Sequence, residues 1–410
     1  MTPMANEGTL LLPSGTRLVH IGPHKTGTTS LQAALYVGRP AMLEQGVRHA
    51  GLGRNPSTAV RAVTGRPSNY SDEAVPAIGH WRSLVREVER AKESRVVISS
   101  EFFSWAEPAA IRRIVTDLDP SRVQIAVTLR PLAKIIPSMW QQNVQGGTTT
   151  SFDAWLDKLF TPPQEKGNRA FWFLHRHDEL IARWAEVVGP ENVTVIVVDD
   201  RDHAMVLRAF EQLLGLANGT LVAIPDLANR SLTMPEAEAV RAFNIAFNAE
   251  GLSKAQHTRV MRLGAAQVMK HREPEPDEPS VQVPQWAVDR ACEVAREMIG
   301  TIANSGVRVV GDLDALARAR ESRADDTGRP AVNPSPEIAA SMAMGVLIAT
   351  GGARREAKGP GRFPFAEPIE MARVPTFQVV VAVALRAMRA VSARWNGLRD
   401  RVRGVARPTD

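Results

Sequence analysis

The sequence is poor in cysteine, in metal-binding motifs and in long apolar runs. Cys292 is the single cysteine among 410 residues, which excludes an internal disulfide and a cysteine-rich zinc site. It contains no His-Glu-x-x-His motif and no spaced cluster of His, Asp and Glu, so we expect no metal site. The longest apolar stretches, 342–349 and 379–385, are too short to span a bilayer. The first residues lack the cationic and apolar segments of a secretory signal, and we therefore expect a cytoplasmic protein.

Segment 18–32, LVHIGPHKTGTTSLQ, carries the strongest functional signal. A short β-branched run leads into a glycine loop at 22–27, and a helix then opens with three hydroxyl residues, Thr28, Thr29 and Ser30. This combination predicts an anion site, because backbone N–H groups converge there and the helix dipole favours negative charge. The loop departs from the nucleotide pattern Gly-x4-Gly-Lys-[Ser/Thr], since Thr28 occupies the lysine position and Lys25 lies three positions earlier.

The position of Lys25 changes the expected chemistry. A lysine after the second glycine reaches the β- and γ-phosphates of a triphosphate. A lysine inside the loop instead reaches a group bonded to a 5′-phosphate, where it neutralises charge on a bridging oxygen that leaves. The alternative is an ordinary glycine-rich turn.

Residues 23–29, PHKTGTT, resemble the 5′-phosphate loop of sulfotransferases that use 3′-phosphoadenosine-5′-phosphosulfate (PAPS). This resemblance covers roughly residues 17–320. It implies that Lys25 has a catalytic role and that the donor is bound by Lys25, Thr26, Gly27, Thr28, Thr29 and Ser30.

A second signature follows about a hundred residues later. The apolar strand predicted at 123–129 ends at Arg130, and Ser138 lies eight residues further on. A guanidinium grips a phosphate with two hydrogen bonds, and a hydroxyl adds another. The resemblance implies that Arg130 and Ser138 bind the 3′-phosphate, although Pro137 interrupts the hydrogen bonding of the helix that carries Ser138. The alternative is a surface ion pair for Arg130 and a solvent-facing Ser138.

Glu101 is the candidate general base. Residues 95–100, RVVISS, predict a buried strand that delivers Glu101 to the edge of the sheet where the other two motifs lie. Sulfuryl transfer to an alcohol needs a group that accepts the hydroxyl proton. The resemblance implies that glutamate does so here, where some related enzymes use histidine. The alternative is that Glu101 caps or bridges segment 102–105.

Three histidines are given no catalytic role. His24 lies inside the glycine loop, where we expect it to fill space or to bond a backbone group. His175 and His177 begin an amphipathic pattern, 171–188, and we expect them to make surface or interhelix contacts.

The order of elements predicts an α/β fold, a P-loop-like parallel sheet flanked by helices with a helical C-terminal extension. Segment 38–79 is expected to be irregular, 236–300 mainly helical and 305–316 a last strand and turn. We predict a sulfotransferase-like domain over 1–320, followed by a linker and tail over 321–410.

Beyond about residue 320 the composition changes. Residues 331–410 contain 12 Lys and Arg against 6 Asp and Glu, so the tail holds the whole chain's excess of 50 over 44. Apolar residues recur every three or four positions from Val381 to Val402, with arginines between them, which predicts a basic amphipathic helix. Two readings stay open, packing on its own domain and peripheral attachment to an anionic membrane. No groove-reading module accompanies the charge, so nucleic acid is not expected as a partner.

These patterns predict a PAPS-dependent sulfotransferase that needs no metal and releases 3′-phosphoadenosine-5′-phosphate (PAP). The expected partner is an acceptor with a hydroxyl group, whether carbohydrate, glycolipid or small molecule. Two alternatives from other classes stay open. One is a P-loop kinase or other nucleotide-binding protein, and the other is a scaffold that binds PAP without catalysis.

Overall fold

The structure is a computed structural model, and it describes residues 10–67, 74–161, 168–202, 204–224, 230–318 and 334–351. Within these described residues, the chain divides into two compact units. The first is formed by 1–139, 156–226 and 283–326, and the second by 140–155, 227–282 and 327–410.

The first unit is built on a six-stranded sheet. Its strands are, in chain order, β1 Thr16–Ile21, β2 Val47–His49, β3 Arg95–Ser99, β4 Val123–Leu129, β5 Val193–Val197 and β6 Arg308–Val310. Their order across the sheet is β2-β3-β1-β4-β5-β6, and every pair of neighbours is parallel. The predicted α/β class, a P-loop-like parallel sheet flanked by helices, is confirmed.

The central strands are almost entirely buried, which is expected where helices cover both faces of a parallel sheet. All six residues of β1 are buried, and so are all five of β5. In this unit the helices are α1 Thr28–Val37, α2 Arg39–Glu44, α3 Ser57–Thr64, α4 Gly79–Arg90, α5 Pro108–Asp117, α8 Arg169–His175, α9 His177–Val188, α10 Met205–Leu214 and α14 Gln285–Ala303. Two further helices, α6 Leu132–Gln145 and α7 Phe152–Phe160, contain the points where the chain passes between units.

Segment 38–79 is more regular than the sequence predicts. It holds α2, β2 and α3, and α4 begins at Gly79. The prediction of an irregular segment was wrong because β2 has only three residues and α3 is rich in β-branched residues, so neither carries a clear periodicity. The single helix predicted over 171–188 is also divided, since Arg176 leaves the helical conformation at φ −73°, ψ 86°.

The second unit is helical among its described residues. It holds α11 Met234–Ala249, α12 Lys254–His257, a π-helical segment Thr258–Ala265, α13 Ala266–His271 and α15 Pro336–Thr350. Helix α15 crosses the π-helical segment closely at Gly264 and Gly345. A Cβ on Gly264 would lie only 2.6 Å from the carbonyl oxygen of Gly345, so the crossing leaves no space for a side chain there. The predicted basic helix of 381–402 lies outside the described residues. No described helix combines the length and apolarity that crossing a bilayer requires.

Candidate functional site

The loop between β1 and α1 has a concave backbone. Lys25 and Gly27 both adopt left-handed conformations, with φ of 73° and 84°. A non-glycine residue in this region costs roughly 1–2 kcal/mol, so Lys25 keeps the conformation only because the surrounding loop imposes it. Alternation of right- and left-handed residues turns successive N–H groups to one side, which is the geometry of an anion cradle.

Contacts to the neighbouring strand hold this loop in place. Thr26 Oγ1 donates to Pro23 O at 2.8 Å and lies 3.0 Å from Thr128 Oγ1 of β4. Gly22 allows a close approach, because a Cβ there would fall 2.1 Å from Thr28 Oγ1. That hydroxyl is buried and has no hydrogen-bond partner in the part of the chain that the structure describes. The loop therefore presents an unsatisfied buried donor inside a cradle that a side chain at position 22 would fill.

His20 lies beneath the loop and joins three strands. Its Nδ1 is 2.7 Å from Ser99 Oγ of β3, and its Nε2 is 3.2 Å from Thr128 Oγ1 of β4. Complete burial lowers the pKa of His20 to about 3, so the ring is neutral at physiological pH. Sequence reasoning gave His20 no role. The available signal was a histidine within the apolar run 18–21 of a strand that is buried along its length.

Glu101 lies at the end of β3, where it opens a short 3₁₀ helix, Glu101–Trp105. Its Oε2 accepts hydrogen bonds from Gln32 Nε2 of α1 at 3.1 Å and from Asn55 Nδ2. The carboxylate thus bridges α1 and the loop after β2, whereas Ser104 Oγ of segment 102–105 donates to the backbone carbonyl of Glu101. Gln32 and Asn55 were not foreseen, because nothing in the local sequence links them to residue 101.

Arg130 follows β4 and forms an ion pair. Its Nη2 lies 2.8 Å from Asp200 Oδ1, and Lys134 Nζ lies 3.2 Å from Asp200 Oδ2. Burial raises the pKa of Asp200, but the bonds and charges of Arg130 and Lys134 outweigh it, so the pKa is lowered and the carboxylate stays ionised. Arg130 Nε is buried without a partner among the described residues. The acidic pair after β5, Asp199 and Asp200, was a signal that the sequence analysis did not use.

Ser138 lies in the second turn of α6, which runs from Leu132 to Gln145 through Pro137. Its side chain is half-buried. The side chain of Ser138 forms no hydrogen bond with any described residue, and so none joins it to Arg130. The structure places the two residues near one strand end without a contact between them.

Strand order decides which of these residues are near one another. Strands β3 and β4 lie on the two sides of β1, so Glu101 and Arg130 flank the loop with two strand spacings, about 10 Å, between their strands. After β1 the chain continues toward β2, on one side of the sheet, and after β4 it continues toward β5, on the other side. Ligands of open α/β sheets bind in the crevice between strands whose connections run in opposite directions.

The three histidines that the sequence analysis considered differ from one another in environment. His24 Nε2 accepts a hydrogen bond from Trp105 Nε1 at 3.3 Å, and its ring packs against Phe102 with centroids 5.5 Å apart. The ring therefore fills space, as one of the two expectations had it. His175 and His177 are fully buried, with ring centroids 6.1 Å apart, so of the surface or interhelix contacts expected for them the surface contacts do not occur. Burial lowers the pKa of both imidazoles, to about 4 for His177. Among the residues with described positions, no three His, Cys, Asp or Glu side chains form a group that could hold a metal ion.

The fold defines the chain as an α/β protein with a P-loop-like parallel sheet, and the loop after β1 holds Lys25 and Gly27 in left-handed conformations. No model of a known protein family matches the chain, and no curated protein matches it. A solved structure that the chain resembles is a sulfotransferase from Alicyclobacillus acidocaldarius, at 19% sequence identity and a TM-score of 0.38. The match covers 59% of this chain and 94% of that one. Since a likeness at this level carries no conclusion about function, the functional argument rests on the residues of the site.

Proposed function

We propose that the chain is a sulfotransferase that moves a sulfuryl group from PAPS to an acceptor hydroxyl and releases PAP. The observation that carries the proposal is the loop of residues 22–30. Its cationic residue, Lys25, lies inside the loop with a left-handed backbone, and a buried hydroxyl occupies the position where nucleotide-binding P-loops place lysine.

The donor fits the polar groups of this site. The N–H groups of the loop, with the hydroxyl of Thr28 among them, would bind the 5′-phosphate. Arg130 and Lys134 would bind the 3′-phosphate, and the hydroxyl of Ser138 would add a further hydrogen bond. The buried Nε of Arg130 is a donor that such a ligand would satisfy. Asp200 holds both cations in place, and a bound phosphate would compete with it for them.

The reaction needs one proton acceptor and one charge to stabilise the leaving group. The acceptor oxygen forms a bond to sulfur while the bond from sulfur to the phosphate oxygen of PAP breaks. The proton of the acceptor hydroxyl passes to the Glu101 carboxylate, whose orientation Gln32 and Asn55 fix. Lys25 neutralises the charge that develops on the oxygen that leaves with PAP.

Thermal shift of the full chain with PAP, ADP and ATP–Mg²⁺ tests the identity of the nucleotide. A ligand at 100 times its Kd stabilises the native state by about 2.7 kcal/mol, so PAP is expected to raise Tm by several degrees and to exceed the other two. ATP–Mg²⁺ ranked above PAP would contradict the proposal and favour the kinase alternative.

Transfer of labelled sulfate from PAPS to a panel of hydroxyl compounds tests the chemistry. Lys25→Ala is expected to lower kcat by about 100-fold, in the range found when one group that stabilises a transition-state charge is removed. Lys158→Ala, an exposed lysine of α7, is the matched control and should keep the wild-type rate. Binding of PAP without transfer to any acceptor would favour the non-catalytic scaffold.

A further inference from the structure

A row of cationic and aromatic side chains lies beside Glu101. Arg66 Cζ is 4.4 Å from the centre of the Trp105 ring, and Arg183 Cζ is 4.2 Å from the centre of the Phe173 ring. The two rings stack on each other, with centroids 5.9 Å apart and an interplanar angle of 19°. We call Arg66, Trp105, Phe173 and Arg183 the arginine–aromatic row. All four residues are partly exposed, so the row borders solvent.

In the part of the chain that the structure describes, the two guanidinium groups stack on aromatic rings and are not held by carboxylates. Neither Arg66 nor Arg183 forms an ion pair within the described ranges, although Arg183 Nη2 donates to Phe173 O at 3.0 Å. Burial lowers the pKa of Arg183 and the charges of Glu179 and Glu107 raise it, but a guanidinium stays protonated in either case. A guanidinium that stacks on a ring keeps N–H donors in its own plane, where they suit the two oxygens of an anion.

The row occupies the side of the site opposite to Arg130. Trp105 is the last residue of the 3₁₀ helix that Glu101 begins, and at about 2 Å per residue the two lie roughly 8 Å apart along its axis. The indole Nε1 of Trp105 donates to His24 Nε2, which connects the row to the loop that holds Lys25. The helix follows β3 and Arg130 follows β4, on the other side of β1.

Two cationic positions therefore flank the loop, and a single donor nucleotide does not need both. The 3′-phosphate is assigned to Arg130 and Lys134, and the 5′-phosphate to the loop. The second molecule of the reaction, the acceptor, must bring its hydroxyl to Glu101, which lies on the same side as the row.

We propose that the arginine–aromatic row is a subsite for the acceptor and that the acceptor is an acid. Its reacting hydroxyl lies at Glu101, and a carboxylate or a sulfate elsewhere on the same molecule binds the row at Arg66 or at Arg183. This assignment rests on the proposed sulfuryl transfer and goes beyond it by naming the charge of the acceptor. Neutral sugars and alcohols leave the two guanidinium groups without an anionic partner and bind more weakly.

Compounds that differ only in their charge test this assignment. Cellobiose, cellobiouronic acid and cellobiose 6′-sulfate carry a hydroxymethyl, a carboxylate and a sulfate ester at the same carbon. Tyrosol and 4-hydroxyphenylacetate form a second, phenolic set. Dissociation constants are measured on the full chain by ligand-observed NMR, with and without PAP, and transfer from PAPS is measured in parallel.

At least one acid is expected to bind about tenfold more tightly than its neutral counterpart, as charge-assisted hydrogen bonds predict. Arg66→Gln should abolish this preference and leave the affinity for the neutral compound unchanged. Arg66→Lys retains the charge but lacks the flat stacking group, so it should keep part of the preference. Arg82→Gln, an exposed arginine of α4, is the control and should change nothing.

The assignment is overturned if neither set shows a preference for its acid, or if the preference survives in Arg66→Gln and in Arg183→Gln with their Tm unchanged. A preference for the acid that depends on Arg66, with no binding of PAP and no transfer, would retain the anion subsite and refute the sulfotransferase proposal. The carboxylate and sulfate members of the first set distinguish which anion the row selects.

Discussion

At the scale of single residues, the site depends on a few positions where neighbouring atoms restrict the size of the side chain or the conformation of the backbone. Position 22 is the clearest case, since the buried hydroxyl of Thr28 occupies the space that a Cβ would take. Position 25 is another, because a lysine keeps a left-handed backbone there. Both are features that a tight anion-binding loop requires and an ordinary surface turn does not.

Gly22→Ala is expected to lower PAP affinity by 100-fold or more. The added Cβ would overlap Thr28 Oγ1, so the loop or the first turn of α1 must move, at a stability cost of about 1–3 kcal/mol. Isothermal titration calorimetry with PAP measures the change, and urea unfolding shows whether the fold persists. Gly53→Ala is the matched control, because the nearest atom to its Cβ would be 3.9 Å away. Wild-type affinity in Gly22→Ala would contradict the role assigned to the loop.

Asp200→Asn is expected to tighten PAP binding by about five- to tenfold at low salt. The change removes the negative charge that pairs with Arg130 and Lys134, and a 3′-phosphate then has no competitor for them. Calorimetric titrations with PAP and with ADP measure the effect. ADP has no 3′-phosphate, so its affinity should stay the same. Weaker PAP binding in this variant would mean that Asp200 positions Arg130 and does not compete with the ligand.

At the scale of elements, the start of α11 is held by a buried network of charges. Glu236 is fully buried, and its Oε1 lies 2.6 Å from Arg230 Nη2 and 3.0 Å from Arg272 Nη2. It also completes a capping box, since its Oε2 accepts from the backbone N–H of Thr233 at 2.8 Å. One carboxylate therefore satisfies a helix end and two guanidinium groups at once.

Glu236→Gln is expected to destabilise the second unit by about 3–5 kcal/mol, because removing one partner leaves buried charges uncompensated. The free energy of unfolding in urea measures the loss. Glu293→Gln breaks an exposed ion pair with Arg290 and should cost less than about 1 kcal/mol. A loss of similar size in both variants would show that the network does not hold the helix.

At the scale of the whole molecule, buried histidines make stability depend on pH. Burial lowers the pKa of His20 and His49 to about 3 and that of His177 and His257 to about 4, and it lowers the pKa of His175 as well. The unfolded chain binds protons near pH 6.5, but these buried rings do not. Their contribution to stability is therefore full above about pH 6.5 and is lost as the pH falls toward the folded-state pKa values.

Urea unfolding at pH 7.5 and pH 5.5 is expected to show a clear loss of stability at the lower pH. Each buried histidine contributes up to about 1.4 kcal/mol per pH unit once the unfolded state is protonated. His20→Gln should make the loss smaller, since one of the rings is gone. His271→Gln, an exposed histidine, should leave it unchanged. Stability that rises on acidification would contradict this account.

The sequence predicts the sheet well where strands are long and poorly where they are short. Strands β1, β3, β4 and β5 are rich in buried β-branched residues, which is the local signature of a buried parallel strand. Strand β2 has three residues, and its position beside β3 comes from pairing with a distant segment. Local pattern cannot reveal pairing of that kind.

The chain by itself determined the α/β class, the glycine loop with its displaced lysine, and the strand ends that carry Glu101 and Arg130. These are local properties of spacing and side-chain type. Only the tertiary structure decided which partners meet there. Gln32 and Asn55 reach Glu101 from 69 and 46 residues away, and Asp200 reaches Arg130 from a different strand. The physical reason is that the order of strands in the sheet, and not distance along the chain, sets which side chains share an edge.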